Sequence, residues 1–174
     1  MYWLEYLTNG RDAGEFDWQA IGGTWGVATS RLADWRPPVD SYVPNALAEA
    51  LADISNPKNR NGDLLANYVA KYFQDIWHHI DDVRHILSDQ AEVHYIVGNS
   101  TFYSTLLPVE TIYKDMLERA GFEGVQIARI RKRNSKSELF EYDVNARIER
   151  PGRSTDAADL APTSVMSGRL HRRA

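Results

Sequence analysis

The chain has 174 residues, of which 43% are apolar, and it contains no cysteine. This length suits one domain with its own core, and the lack of cysteine excludes disulfides, thiolate metal sites and a cysteine nucleophile. The sequence has no run of about 18 apolar residues, and its first residues lack the basic-then-apolar order of a signal peptide. A cytoplasmic protein without a membrane partner is therefore expected.

The net charge of −4 is unevenly distributed. Residues 1–122 carry 9 Lys and Arg against 17 Asp and Glu, whereas residues 123–150 carry 7 against 5. The tail from residue 151 carries 4 against 2. A basic end on an acidic body permits a polyanion partner at that end, although charge runs are usually solvated faces.

Residues 1–43 are rich in aromatic residues and glycine, which is typical of a long ordered loop with short helices. A loop of this length in a compact domain is usually functional. Its tryptophans could line a ligand cleft or pack as a lid, and burial is the commoner outcome for tryptophan. Two cations of this stretch, Arg11 and Arg31, are candidate phosphate contacts.

Two helices are predicted next. Residues 44–54 form the first, with Pro44 in its first turn. From Leu64 to Leu87 apolar residues recur at spacings of three and four, which predicts one long amphipathic helix. Three polar residues of this helix could bind a metal from one face, but a solvated face is the commoner outcome, and no metal is expected. These residues are His78, Asp82 and His85.

A strand, a helix and a second strand follow. Residues 93–97 form a short apolar run that ends at Gly98, which predicts a strand covered on both faces. The stretch 108–122 has helical spacing and closes with Gly-Phe, and residues 125–133 then alternate with one break in phase. This strand–helix–strand unit predicts two parallel strands with a right-handed crossover.

The last predicted strand, residues 138–148, follows a short polar turn and should form an antiparallel hairpin. Residues 44–150 are therefore expected to form a partial α/β domain. The loop region 1–43 precedes it, and a disordered tail is predicted for residues 151–174, which lack periodicity. Three strands leave the first one with an open edge, which folded proteins usually cover or pair.

The stretch YIVGNSTFYSTLLPVETIYKDMLERAGFEGVQIARIRKRNSKSELFEYDVNARI, residues 95–148, resembles the C-terminal end of bacterial DNA amino-methyltransferases. Members of this family often end with a YVVGNS-like strand, a helix closed by Gly-Phe and a basic hairpin with an apolar last strand. The N-terminal MYWLEYL is similar to the YWL stretch that follows their catalytic SPPY. The resemblance implies the C-terminal half of a Rossmann-like sheet. It also implies methyl transfer from S-adenosylmethionine to an exocyclic amine of adenine or cytosine in double-stranded DNA, within a restriction–modification or epigenetic system.

Two motifs of the family are missing from this sequence: the FxGxG-like methyl-donor loop and the (D/N/S)PP(Y/F/W) tetrapeptide. The chain alone is therefore expected to be inactive. It would use S-adenosylmethionine only if the missing N-terminal half were supplied. Either a second, upstream-encoded polypeptide provides that half, or the sequence is truncated. A self-dimer that pairs the open edge, a non-catalytic nucleic-acid-binding module and a vestigial fragment are the alternatives.

Ligands of open α/β sheets lie beyond the carboxyl ends of strands. Five residues at the end of the first strand are therefore candidates for the pocket of a flipped target base, with short polar groups to bind its edge and aromatic rings to stack on it. The alternative is an ordinary turn whose rings plug the core. These residues are Gly98, Asn99, Ser100, Phe102 and Tyr103.

The basic hairpin should project from the same end of the sheet, because its first strand is expected to run parallel to the strand that ends at Gly98. Lys and Arg contacts to phosphates supply most non-specific DNA affinity. The candidate DNA contacts are Arg131, Lys132, Arg133 and Lys136. The alternative is a solvated hairpin tip.

Overall fold

A computed structural model describes residues 10–23, 31–39, 41–133 and 138–150. The chain combines helices with an antiparallel sheet. The helices are α1 (Gly10–Gln19), α2 (Asn45–Ile54), α3 (Gly62–Ile86) and α4 (Val109–Arg119). The strands are β1 (Gln90–Gly98), β2 (Ser100–Phe102), β3 (Thr105–Leu107), β4 (Glu123–Lys132) and β5 (Phe140–Glu149). No helix in these ranges combines the length and the apolar character that a bilayer span requires.

The helices predicted from apolar spacing are confirmed. The long helix α3 buries Val69, Phe73, Ile76 and Ile80 at spacings of three and four, so that one stripe faces the core. The helix α4 buries residues at the same spacing and packs on β1, β4 and β5. The helices α2, α3 and α4 and the sheet thus share one apolar core.

The strands of the main sheet lie in the order β1–β5–β4, and β5 is antiparallel to both neighbours. It follows that β1 and β4 point in the same direction, as the strand–helix–strand pattern predicts. They do not pair with each other, because the hairpin after β4 returns β5 into the space between them. The break in the alternation of β4 corresponds to a register shift between Arg129 and Arg131.

The prediction that the first strand is covered on both faces is wrong. Along β1 the side chains alternate between exposed and half-buried, and the half-buried ones lie on the inner face, which the helices cover. The outer face carries Glu92 and His94, whose side chains are about half exposed, and Ile96, which is 61% exposed. An antiparallel sheet commonly packs on one face and is solvated on the other.

The segment after β1, expected to be a loop, forms the short antiparallel hairpin β2–β3. Its turn residues Tyr103 and Ser104 have φ values of 47° and 68°, the left-handed backbone of a tight hairpin turn. The predicted loop region 1–43 contains α1, and residues 1–9, 24–30 and 40 lie outside the described residues. The predicted disordered tail, 151–174, also lies outside them.

Candidate functional site at the end of the first strand

The carboxyl end of β1 is tied to the start of β5 by the buried side chain of Asn99, which is 2% exposed. Its Oδ1 accepts a hydrogen bond from the backbone nitrogen of Phe140 at 2.8 Å, and its Nδ2 donates to the carbonyl of Glu138 at 3.3 Å. Asn99 thus extends the β1–β5 pairing by one step after the strand ends. Its amide holds backbone in this structure and is not directed at a ligand.

Three of the five candidate base-pocket residues lie together in a groove of about 390 Å³ on the inner face of β1. Gly98 and Ser100 line it from the chain that leaves β1, and Phe102 lines it from the hairpin. Its volume lies within the range of small-molecule pockets. The lining that the structure describes includes no charged side chain and no histidine.

Four tyrosines complete the aromatic lining of this groove: Tyr68 and Tyr72 from α3, Tyr95 from β1 and Tyr113 from α4. The hydroxyls of Tyr72 and Tyr113 lie 2.9 Å apart, and the ring centroids of Tyr95 and Tyr113 are 5.4 Å apart. Burial raises the pKa of both Tyr95 and Tyr113, so these hydroxyls stay neutral at ordinary pH. The groove therefore offers uncharged rings and hydroxyl groups. The sequence indicated these tyrosines only as core residues, because they converge from three distant elements.

Tyr103, the remaining candidate for the base pocket, does not line the groove. Its side chain is exposed, and its hydroxyl donates a hydrogen bond to the carbonyl of Arg60. Tyr103 has a left-handed backbone with φ of 47°, whereas Phe102 ends the strand β2 and lines the groove. The two neighbouring aromatic residues therefore occupy different environments.

On the outer side of the same strand end, Arg131 and Arg133 border a second concavity of about 460 Å³ with Gly98 and Glu141. Arg133 donates from Nη1 to the carbonyl of Asn99 at 3.1 Å. A methyl group on Gly98 would lie 3.0 Å from that same Nη1, so the glycine leaves room for the arginine. The carboxyl ends of β1 and β4 thus meet, as the parallel direction of the two strands predicts.

The basic residues near the end of β4 differ in the groups that they contact. Arg131 forms a two-point ion pair with Glu141, at 2.6 Å and 3.1 Å, which lowers the pKa of the carboxyl group and raises that of the guanidinium. Lys132 lies 5.9 Å from the ring centroid of Phe140. Arg129, which the sequence did not single out, lies over the same ring at 4.7 Å. Lys136 lies outside the described residues.

The two N-terminal candidates for DNA contact are not part of this cluster. Arg31 pairs with Glu15 of α1 at 2.7 Å, and its guanidinium lies 5.4 Å from the ring centroid of Trp18. Arg11 lies in α1, but its side chain is outside the described residues. The two histidines considered as metal ligands contact their own helix, His78 at Gln74 and His85 at the carbonyl of Asp81. Within the described ranges no group of three His, Asp or Glu side chains could hold a metal ion.

The strand end therefore combines an uncharged aromatic groove on its inner side with arginines on its outer side, separated by Gly98. Comparison of the chain with protein-family models, with curated proteins and with solved structures found no match.

Proposed function

We propose that this chain is the C-terminal part of a Rossmann-like DNA adenine-N6 or cytosine-N4 methyltransferase whose N-terminal half is supplied by another polypeptide. In this reading the chain supplies the wall of the target-base pocket, contacts to double-stranded DNA and the closing strands of the sheet. The observation that carries the proposal is the uncharged aromatic groove at the carboxyl end of β1, directly beside the arginines at the end of β4.

The chemistry of the groove suits a flipped base. An enzyme that modifies a base takes it out of the stack and holds it by stacking and by hydrogen bonds to its edge. Phe102 and Tyr95 provide rings, and the neutral hydroxyl of Ser100 can donate or accept a hydrogen bond. A neutral, flat heterocycle could bind there without leaving a charged side chain of the lining buried and unpaired.

The arginines suit the DNA backbone. Arg133 lies next to Gly98, so a phosphate bound there would be adjacent to a base in the groove. The charge of Arg131 is largely balanced by Glu141, so Arg133 is the stronger candidate contact of the two. Replacing a phosphate-binding arginine should weaken DNA binding for all sequences and reduce the salt slope by about 1.

S-adenosylmethionine would supply the methyl group, but the described residues of this chain do not fit the donor. The groove has no carboxylate that could bind the ribose hydroxyls or face the positive sulfonium. The donor site is therefore assigned to the other polypeptide, together with the missing (D/N/S)PP(Y/F/W) motif. The role of this chain is limited to holding the base and the DNA.

A non-catalytic nucleic-acid-binding module is the second candidate. It is favoured by the polar outer face of the sheet, which needs no further layer, and by a core that this chain completes from its own helices. Such a module would bind DNA through Arg133 without methyl transfer.

A methyl-transfer assay distinguishes the two candidates. Labelled S-adenosylmethionine and double-stranded DNA of mixed sequence are incubated with the purified chain, with and without the polypeptide encoded directly upstream. We expect incorporation only when both polypeptides are present. Phe102→Ala should then reduce incorporation by about tenfold, because stacking of a base on an aromatic ring contributes about 1–3 kcal/mol.

Tyr103→Ala is the matched control, because it removes the neighbouring ring, which lies outside the groove. Equal losses for the two variants would contradict the base-pocket assignment. Salt-dependent DNA binding without incorporation in any mixture would favour the binding module, and incorporation by the chain alone would contradict the division of labour proposed above. Lys114→Ala, on the exposed side of α4, is the charge control for Arg133→Ala in the DNA-binding measurement.

A further inference from the structure

Within the part of the chain that the structure describes, the backbone hydrogen bonds show which groups of β1 have no partner strand. Arg150 donates to the carbonyl of Asp89 at 2.9 Å, and the antiparallel register pairs Val93 with Ala146 and Tyr95 with Val144. In an antiparallel pair, alternate residues of a strand direct their backbone groups toward the partner. The odd-numbered residues of β1 therefore bond to β5, and the even-numbered ones, from Gln90 to Gly98, direct their N–H and C=O groups to the open side.

This open side lacks the features that usually protect an edge strand. The nine residues of β1 contain no proline, lysine or arginine, and its register with β5 is continuous from Gln90 to Gly98. The other edge strand of the sheet, β4, has two features that prevent pairing with a further strand. Its register shifts at two points, one of them next to Gly124 with φ +61°, and it carries Arg129, Arg131 and Lys132. Bulges and lysine or arginine side chains of this kind prevent edge-to-edge pairing. The strand β1 has no bulge, and its only acidic or basic side chains are Glu92 and His94.

The aromatic groove lies along the same side, since its lining includes Tyr95, Ile96 and Val97 of the edge strand. A strand placed beside β1 would bond to the backbone groups that face the open side and form a wall of the groove that the described residues do not supply. Ile96, at 61% exposure, would be covered by the same strand.

We propose that the free edge of β1 is the docking site for an extended segment of a second, different polypeptide, which pairs with Gln90–Gly98 and closes the side of the aromatic groove. The segment carries apolar side chains on its groove side, because these continue the apolar inner face of Val93 and Tyr95. This inference rests on the proposed function in that the second polypeptide is the one that supplies the missing half.

A second copy of this chain fits the edge poorly. Antiparallel pairing of two β1 strands about Glu92 would place two carboxylates opposite each other. Pairing about His94 would oppose two imidazoles whose contacts with Asp143, at 2.9 Å, favour the charged form. Like charges directly opposite each other destabilise a sheet. Pairing about Ile96 avoids this, but the two strands would then overlap only from His94 to Gly98. Each copy also carries a net charge of −4.

The test compares two exposed isoleucines on opposite edges, Ile96 in β1 and Ile130 in β4, the latter 51% exposed. The whole chain is co-expressed with the polypeptide encoded directly upstream, and the dissociation constant of the purified pair is measured for wild type, Ile96→Lys and Ile130→Lys. A lysine on the edge strand should weaken association at least tenfold for Ile96→Lys and less than twofold for Ile130→Lys. Thermal unfolding of each variant alone shows whether its fold is intact.

Residue-resolved amide exchange provides a second readout that needs no mutation. In the complex the amides of Glu92, His94 and Ile96 should become protected. Association without protection of these amides, or equal weakening by both lysine variants, would overturn the docking proposal even if methyl transfer occurs. Protection without methyl transfer would support docking and contradict the proposed function. The proposal would also be overturned if the two polypeptides did not associate. It would be overturned in favour of a second copy if the same amides became protected in the chain alone as its concentration rose.

Discussion

The two faces of the main sheet differ in what they require from the rest of the molecule. The inner face buries Val144, Ala146 and Ile148 of β5 under the helices. The outer face pairs His94 with Asp143 and Arg131 with Glu141, and these side chains reach solvent. A polar face needs no covering layer, so among the described residues the place that is open to a partner is the edge at β1 and not the outer face.

The largest expected effect on stability distinguishes the residues of β1 whose backbone groups bond to β5 from those whose backbone groups point to the open side. Val93→Pro removes a ladder hydrogen bond to β5 and should lower the free energy of unfolding by about 3 kcal/mol or more. Glu92→Pro, one residue earlier, should cost clearly less because its N–H points to the open side. Urea denaturation of both variants measures the difference, and equal losses would mean that the assignment of the edge-facing groups is wrong.

The next largest effect on stability distinguishes the inner face of β5 from its outer face. Ile148→Ala, on the inner face at 4% exposure, should lower the free energy of unfolding by about 3 kcal/mol, through lost burial and the cavity left behind. Arg147→Ala, its neighbour on the outer face, should change it by less than about 0.5 kcal/mol. A comparable loss for Arg147→Ala, again in urea denaturation, would show that the outer face is more tightly packed than described.

A smaller effect is expected where β1 meets β5. Asn99→Ala leaves the backbone nitrogen of Phe140 and the carbonyl of Glu138 without their partner, which should cost about 2 kcal/mol. Ser100→Ala, the adjacent control, should have little effect on stability. If DNA binding or methyl transfer falls in the Asn99 variant while its stability is unchanged, then Asn99 contacts a ligand, as the sequence first indicated.

The smallest effect is a pH dependence on the outer face. The hydrogen bond to Asp143 raises the pKa of His94 above its ordinary value, with a smaller contribution from Glu92. A raised folded-state pKa stabilises the fold fully below the unfolded value of about 6.5, and this stabilisation is lost as the pH rises through the folded-state value. The urea midpoint should therefore fall more between pH 5.5 and pH 8.5 for wild type than for His94→Gln. Parallel profiles would remove His94 from the account.

The sequence predicted what depends on local patterns. The periodicity of α3 and α4 located both helices, and the break in alternation before Ile130 marked the register shift in β4. The position of β5 between β1 and β4 was not predicted, because strand order depends on how long connections close and not on local periodicity. The hairpin β2–β3 was missed because its turn uses Tyr103 and Ser104 instead of the Asn-Gly or Asp-Gly that signals such turns.

Much of the candidate site was identified from position alone, since the end of an apolar strand indicated Gly98, Ser100 and Phe102. The role of Asn99 could not be predicted, because its partners lie about 40 residues further along the chain. The groove tyrosines read as ordinary core positions, and only the packing of α3, α4 and β1 brings their rings together.

The most direct test of the open edge of β1 is amide exchange in the chain by itself, at a concentration where it is monomeric. We expect the amides of Glu92, His94 and Ile96 to exchange rapidly. The amides of Val93, Tyr95 and Val97 should exchange slowly because they bond to β5. Alternating protection along β1 would establish a free row of backbone groups for a partner strand. Uniform slow exchange of all six amides would contradict the account, because the edge would already be paired within this chain.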